Sequence, residues 1–466
     1  MKGDFTRDTF DATRHFRRVL MQQGRVQLDA DRNEQAAILL HYLQALAADL
    51  IGPHGGPAKD DGTPGDEFAL RVTTDQKDFT ILPGRYYVKG VLCENEARQD
   101  ATGTPIDTTY FTQPNYPLDK EKDKLPTGSL LVYLDVWERH LTYLEMENTD
   151  GSVVSIREAA LNGPDTATRA QVVWQVKTKA STISASDAKD YAKFLAGLGD
   201  EIRPTTGRLK ARAIQPTPGP DDPCLIPPES RYRGAENQLY RVEVHLGGTA
   251  VGTPTATFKW SRENGSVIFP IRHIEDKNVT LETLGRDARL GLQVGDWVEI
   301  VDDDYTLRNQ AEPLLKVDAI DYDNNVVTLK DKPVSMVGQD AKKHPLLRRW
   351  DQRETEKSKL TQDGALPISE SASDWIELED GIQIQFQPST TGQPNYYRTG
   401  DYWLIPARTA TGDVEWPGPA GAPLALGPRG IEHHYAPLWI ISVANGSVTA
   451  APGNDLRRKL RPLPTF

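Results

Sequence analysis

At 466 residues and 51.8 kDa the chain is long enough for two to four domains of roughly 150 residues each. Its 38% hydrophobic and 26% charged residues exclude a disordered polymer, and a formal charge of −12 speaks against a nucleic-acid binder. The opening Met1-Lys-Gly-Asp-Phe-Thr has no apolar h-region, and no apolar run reaches the roughly 18 residues of a bilayer span. Cys93 and Cys224 lie far apart, so neither a disulfide framework nor a CxxC metal knuckle is indicated. These features lead us to expect synthesis in the cytoplasm, no signal peptide and no direct membrane span.

The first element is a helix. From Asp29 or Asp31, both candidate N-caps, it runs to Ile51 and stops at Gly52-Pro53. Ala36, Leu39, Leu43, Leu46 and Leu50 are spaced 3, 4, 3 and 4, the a/d seam of about two heptads. Such a seam either lies on the core of its own domain or packs against copies of itself in an oligomer. Gln22, Gln23, Gly24, Asp29 and Asp31 make a polar turn ahead of it, whose carboxylates suit the positive helix end.

Gly52 to Asp66 reads as a linker or ordered loop, after which the apolar period changes to two. Phe79-Thr-Ile-Leu, Arg85-Tyr-Tyr-Val-Lys-Gly-Val-Leu, Leu130-Leu-Val-Tyr-Leu-Asp-Val-Trp and Gln171-Val-Val-Trp-Gln-Val read as strands. Residues 112–128 read as an exposed loop, Ser186–Leu198 as a weaker helix, and the proline-rich Ile214–Pro228 as a boundary or surface crossing. Tyr240, Val242, Val244 and Leu246 alternate with Arg241, Glu243 and His245, the pattern of a half-buried strand. Next comes an expected hairpin, Thr255–Arg262 and Ser266–Phe269 around Asn264-Gly265, the favoured type I′ pair.

Short strands at Val279–Glu282, Asp296–Val301, Leu314–Ile320 and Val326–Leu329 predict a small barrel over 278–335. Ile382–Phe386, Gly400–Ile405 and Pro437–Ile441 continue the β pattern. The expected layout is an N-terminal docking or oligomerisation segment (1–55), a first β domain (66–213), a second (229–345) holding the barrel, a C-terminal β region (346–450) and a basic tail (451–466). The fold class is mainly β, a multi-domain β-sandwich and small-barrel architecture with an N-terminal α-helix.

Motifs for chemistry are missing: no GxGxxG, P-loop, GxSxG or HExxH occurs. His433 and His434 are neighbours that point to opposite faces of a strand, a poor joint metal site. Asp302-Asp303-Asp304 and Asp321-Tyr-Asp-Asn-Asn are acidic runs of the kind that bind Ca²⁺, but the second has Val326 where a Ca²⁺ loop needs Gly and Lys332 where it needs Glu, so it reads as a hairpin turn. Glu145 and Glu147 are i, i+2 neighbours rather than a glycosidase pair. We therefore expect no catalytic, cofactor-binding or metal-binding residues, no cofactor and no enzymatic activity. The basic cluster Arg457, Arg458, Lys459 and Arg461 reads as a solvated tail or a contact to an acidic neighbour, not to nucleic acid.

Several stretches carry a resemblance. They are Met1-Lys-Gly-Asp-Phe-Thr-Arg, Arg18-Val-Leu-Met-Gln-Gln-Gly-Arg-Val-Gln-Leu-Asp-Ala-Asp-Arg-Asn-Glu-Gln, Ala47-Ala-Asp-Leu-Ile-Gly-Pro-His-Gly-Gly, Gly163-Pro-Asp-Thr-Ala, Gly234-Ala-Glu-Asn-Gln-Leu-Tyr-Arg-Val-Glu-Val-His and Phe258-Lys-Trp-Ser-Arg-Glu-Asn-Gly-Ser-Val. Over residues 1–450 the chain resembles an uncharacterised bacterial family encoded beside phage-tail-like contractile injection genes. The Gln23-Gly-Arg-Val to Asn33-Glu-Gln stretch is also similar to the N-terminal region of phage tail and baseplate proteins. Arg32 departs from the pattern, which has Trp there. The resemblance implies a baseplate, fibre or accessory protein that contacts other tail proteins and itself. A homotrimer is expected, since tail appendages commonly have threefold symmetry, with Ala36, Leu39, Leu43, Leu46 and Leu50 as the interface. The alternative is a carbohydrate- or receptor-binding module of the same machine, for which nine Trp and sixteen Tyr would supply a platform.

Overall fold

The computed structural model describes residues 1–58, 65–100, 102–116, 118–146, 155–214, 231–252, 254–285, 290–354, 359–419 and 421–460. Cys224, Glu147, Arg461 and nearly all of the proline-rich connection lie outside the described residues. The chain is mainly β, multi-domain, with an N-terminal helix. It divides into two compact units that interleave along the sequence: residues 1–9, 140–169 and 204–431 form one, residues 10–139, 170–203 and 432–466 the other. The five consecutive segments expected from the sequence are thus gathered into two, because strands far apart in the chain share sheets.

The second unit is a sandwich. One sheet runs Ser447–Thr449, His434–Ala444, Gly128–Leu141, Arg169–Ala180, and the other Lys459–Leu460, His54–Pro57, Gly84–Val88, Val91–Asn95. Leu130, Val132, Leu134 and Val136 point to one face and pack against Phe68, Phe79, Ile81, Tyr86 and Cys93. The intervening Leu131 and Tyr133 point the other way and are covered by Ala188, Phe194 and Leu198 of two short helices, as period two requires. Arg85–Leu92, expected as one strand, is a hairpin: Lys89 (φ 49) and Gly90 (φ 81) form a two-residue turn between strands that pair Val88 with Val91. The expected basic tail is not wholly solvated. Lys459 and Leu460 pair in parallel with Gly56 and Pro57, and the Arg457 guanidinium lies 2.8 Å from Asp455.

The first unit holds the predicted barrel, closed by six strands rather than four: Ile268–Glu275, Asn278–Leu281, Val326–Leu329, Leu315–Asp321, Trp297–Val301 and Leu346–Trp350. Phe269, Val279, Val298, Val317, Val327 and Leu347 fill its interior. The Asp321 turn joins two barrel strands, its carboxylate accepting from Asp323 and Asn324 N–H. A five-stranded sheet, Leu366–Pro367, Thr257–Ser261, Gln238–Val244, Tyr402–Arg408, Asp413–Val414, packs its core with that of Arg208–Ala213, Ile382–Gln387, Ile376–Glu377. The expected Asn264-Gly265 hairpin does not form. Both residues adopt positive φ (53 and 67), but Thr257–Ser261 already pairs on both edges, so the turn hands the chain from sheet to barrel.

Candidate assembly interface

Helix α1 (Asp29–Ile51) forms where expected, with Leu28 rather than an aspartate as N-cap, and ends at Gly52 (φ 85), whose N–H reaches Ala48 O at 2.7 Å. Its orientation is inverted relative to an ordinary surface helix. Ala30 and Ile38 are its buried residues, and the Gln44 backbone lies so close to Gly90 that a Cβ there would collide with the Gln44 carbonyl. On the opposite side Leu39, Leu43, Leu46 and Leu50 are 54%, 62%, 57% and 76% exposed, with Ala36, Leu40 and Tyr42 exposed beside them. At 100° per residue Ala36, Leu39, Leu43, Leu46 and Leu50 fall on one stripe. The helix thus turns the side of Ala30 and Ile38 inward and its leucine stripe outward, and the seam does not cover its own core.

Residues 10–28 form an arm that follows the same surface. Its Val19 N–H donates to Gln35 Oε1 at 2.9 Å, and the Phe10 ring lies 5.7 Å from that of His41. Apart from the short 3-10 turn Ala12–Arg14 it has no regular structure, and it exposes Phe16, Leu20, Met21, Val26 and Leu28. The exposure could not be read from sequence, because a leucine seam looks the same whether its cover is internal or external.

Sequence reasoning also missed a buried charge cluster in the other unit. The strand Gln238–Val244, expected to be wet on one face, is buried on both, so its polar phase is internal. Glu243 receives Arg241 Nε at 2.6 Å and Lys2 Nζ at 3.0 Å, and Glu299 receives Lys259 Nζ at 2.6 Å. Tyr305 OH and Trp350 Nε1 donate to Glu299 at 2.6 and 2.8 Å. Burial would raise the Glu243 carboxyl, but Lys2, Arg241 and Lys259 outweigh it and hold it far below the usual range. Glu299, opposed in the same way by burial and drawn down by Lys259 and Lys2, falls to about 2. Asn264 Nδ2 donates to Met1 O and Gly3 O at 3.1 and 2.8 Å, seating the N-terminal residues on the cluster. The arrangement binds chain to chain, since every carboxylate oxygen named meets an internal donor. A shallow pocket beside it, lined by Ile300, Glu312, Pro333 and Val337, has room for about one water molecule.

Other residues singled out by sequence are placed structurally. Glu145 accepts from Thr142 N–H and Oγ1 at 2.8 and 2.6 Å, closing a turn. His433 Nδ1 lies 2.7 Å from buried Asp135, which also meets Lys177 at 2.7 Å. Asp302 caps the short helix Asp303–Leu307 through Tyr305 N–H. Trp137, Trp174, Trp260, Trp350, Trp403 and Trp439 are buried and Trp297, Trp375 and Trp416 half-buried, so no indole stands out as a sugar platform.

The fold and this surface define a β-rich protein of two interleaved units carrying an outward-facing N-terminal helix. Residues 1–200 and 201–447 match DUF6519, described as a family of unknown function, and the chain belongs to that family. No curated protein and no solved structure matches it. No helix among the described residues is long and apolar enough to cross a membrane.

Proposed function

We propose that this protein is a structural part, a baseplate, fibre or accessory subunit, of a phage-tail-like contractile injection particle, working through protein–protein contacts. The observation that carries the reading is the leucine face of α1, turned away from its own core beside the exposed Phe16, Leu20, Met21, Val26 and Leu28 of the arm. Exposed apolar surface of this extent marks a contact surface. The resemblance of residues 23–35 to tail and baseplate N-termini supplies the kind of assembly, and the internally satisfied charge cluster suits a rigid spacer.

The test is sedimentation of a lysate of the producing bacterium, with mass spectrometry across the gradient. The protein is expected in the fractions that hold contractile particles, and its gene deletion is expected to leave particles incomplete. Confinement to the light fractions, with normal particles in the deletion strain, would refute the proposal.

A further inference from the structure

We infer that the surface made by α1 and the arm of residues 10–28 seats on a second copy of this chain. The inference deepens the assembly reading and rests on it for its setting; the contact itself is argued from the residues.

Eleven of the twenty-two large hydrophobic side chains exposed among the described residues fall between Phe16 and Leu50, so one short stretch concentrates the unmet apolar surface. Its charge is divided. Arg14, Arg17, Arg18 and Arg25 against Asp11 leave the arm net positive, whereas Asp29, Asp31, Glu34 and Asp49 against Arg32 leave the helix net negative. A foreign partner would have to match a basic arm and an acidic leucine helix lying side by side. A second copy carries both, and a self-complementary patch of this kind is what a closed symmetric oligomer requires.

The dimensions agree. Helix α1 has 23 residues and is therefore about 35 Å long. An interface of standard size takes about 20–30 residues from each partner, which the helix and arm together supply. The contact brings Leu39, Leu43, Leu46 and Leu50 of one copy against the same stripe of another. The exposed Arg17, Arg18 and Arg25 then lie toward the acidic first turn of the neighbouring helix. Two heptads are too short to hold the contact alone, so the arm is the second component.

The experiment is the absolute mass of the purified full-length protein by light scattering from 1 to 100 µM, a span of about two decades that covers micromolar self-affinity. Two variants accompany it: Leu39→Ser/Leu43→Ser/Leu46→Ser, and Arg17→Glu/Arg18→Glu. All five positions are exposed, so both variants are expected to keep the wild-type circular dichroism and melting profile. The wild type is expected at a whole multiple of 51.8 kDa. The leucine variant is expected to fall to one chain, and the arginine variant to dissociate at lower dilution. A wild type that stays at one chain throughout overturns the inference, as does a leucine variant that keeps the multimeric mass. A monomer that still sediments with particles would sink the self-contact and keep the particle role. A multimer absent from particles would do the reverse.

Discussion

Replacing Lys259 with Met is expected to cost the barrel-containing unit about 3 kcal/mol at pH 7. The Lys259 side chain is only 3% exposed, and its ammonium lies 2.6 Å from Glu299 and 3.6 Å from Glu243. A carboxyl drawn from 4.5 to about 2 has its ionised form favoured by about 3 kcal/mol, and Lys259 is the first of the charges that oppose burial to achieve this. Met keeps the length of the stem over the Trp350 ring, whose centroid is 4.4 Å from the ammonium, so the change removes charge more than volume. Because the folded-state carboxyl is depressed, its contribution is complete above pH 4.5 and is lost as pH falls from there toward 2. The variant's deficit should therefore be largest at neutral pH and shrink below pH 4.5. Urea unfolding followed by tryptophan fluorescence measures it, and hydrogen exchange of Trp297–Val301 localises it. An unchanged midpoint at pH 7, or a deficit of constant size from pH 7 to about pH 2.5, would refute the reasoning.

Three further outcomes are expected. Burial, with Asp351 competing for the one guanidinium of Arg262, pushes the Glu379 carboxyl up to about 7. A raised folded-state value means stability is lost as pH rises from 4.5 through 7, so Glu379→Gln should gain in melting temperature at pH 8 and not at pH 4. Gly90→Val would drive a side chain into the Gln44 carbonyl and force a β-branched residue to positive φ, so amides of α1 should lose exchange protection while the barrel keeps its own. Asn264→Ala removes both hydrogen bonds to Met1 and Gly3 and the residue tolerant of φ 53; about 2 kcal/mol of stability and faster proteolysis within residues 1–9 are the expected losses.

Local periodicity made much of the fold legible. The α1 boundaries, the long strands through Leu130 and Val173, and four of the six barrel strands follow from period and turn chemistry alone. Pairing is where sequence reasoning failed. Asn264-Gly265 adopts the turn geometry its residues prefer, yet whether such a turn closes a hairpin depends on which strand edges are free, and Gln238–Val244 and Leu366–Pro367 had already taken them. The alternation of Arg241, Glu243 and His245 with apolar residues was read as a wet face for the same reason. Charge at period two does not reveal that Lys2 and Lys259 will arrive to neutralise it. For the interface, the seam at Ala36, Leu39, Leu43, Leu46 and Leu50 was visible, while its outward orientation required knowing what Gly90 touches.

The pairing of Gly128–Leu141 with His434–Ala444 has a consequence for how the protein is made. Translation at about 5–20 residues per second leaves roughly 15–60 s between the emergence of the two strands. During that interval Leu130, Val132, Leu134 and Val136 have no sheet neighbour on that edge, while residues 204–431 of the other unit are still being made. The sandwich is therefore completed last, and the nascent chain passes through a state in which holdase chaperones have a defined apolar strand to protect. Ribosomes stalled before residue 434 should carry that strand exposed to protease, and ribosomes stalled beyond the C-terminal strand should not.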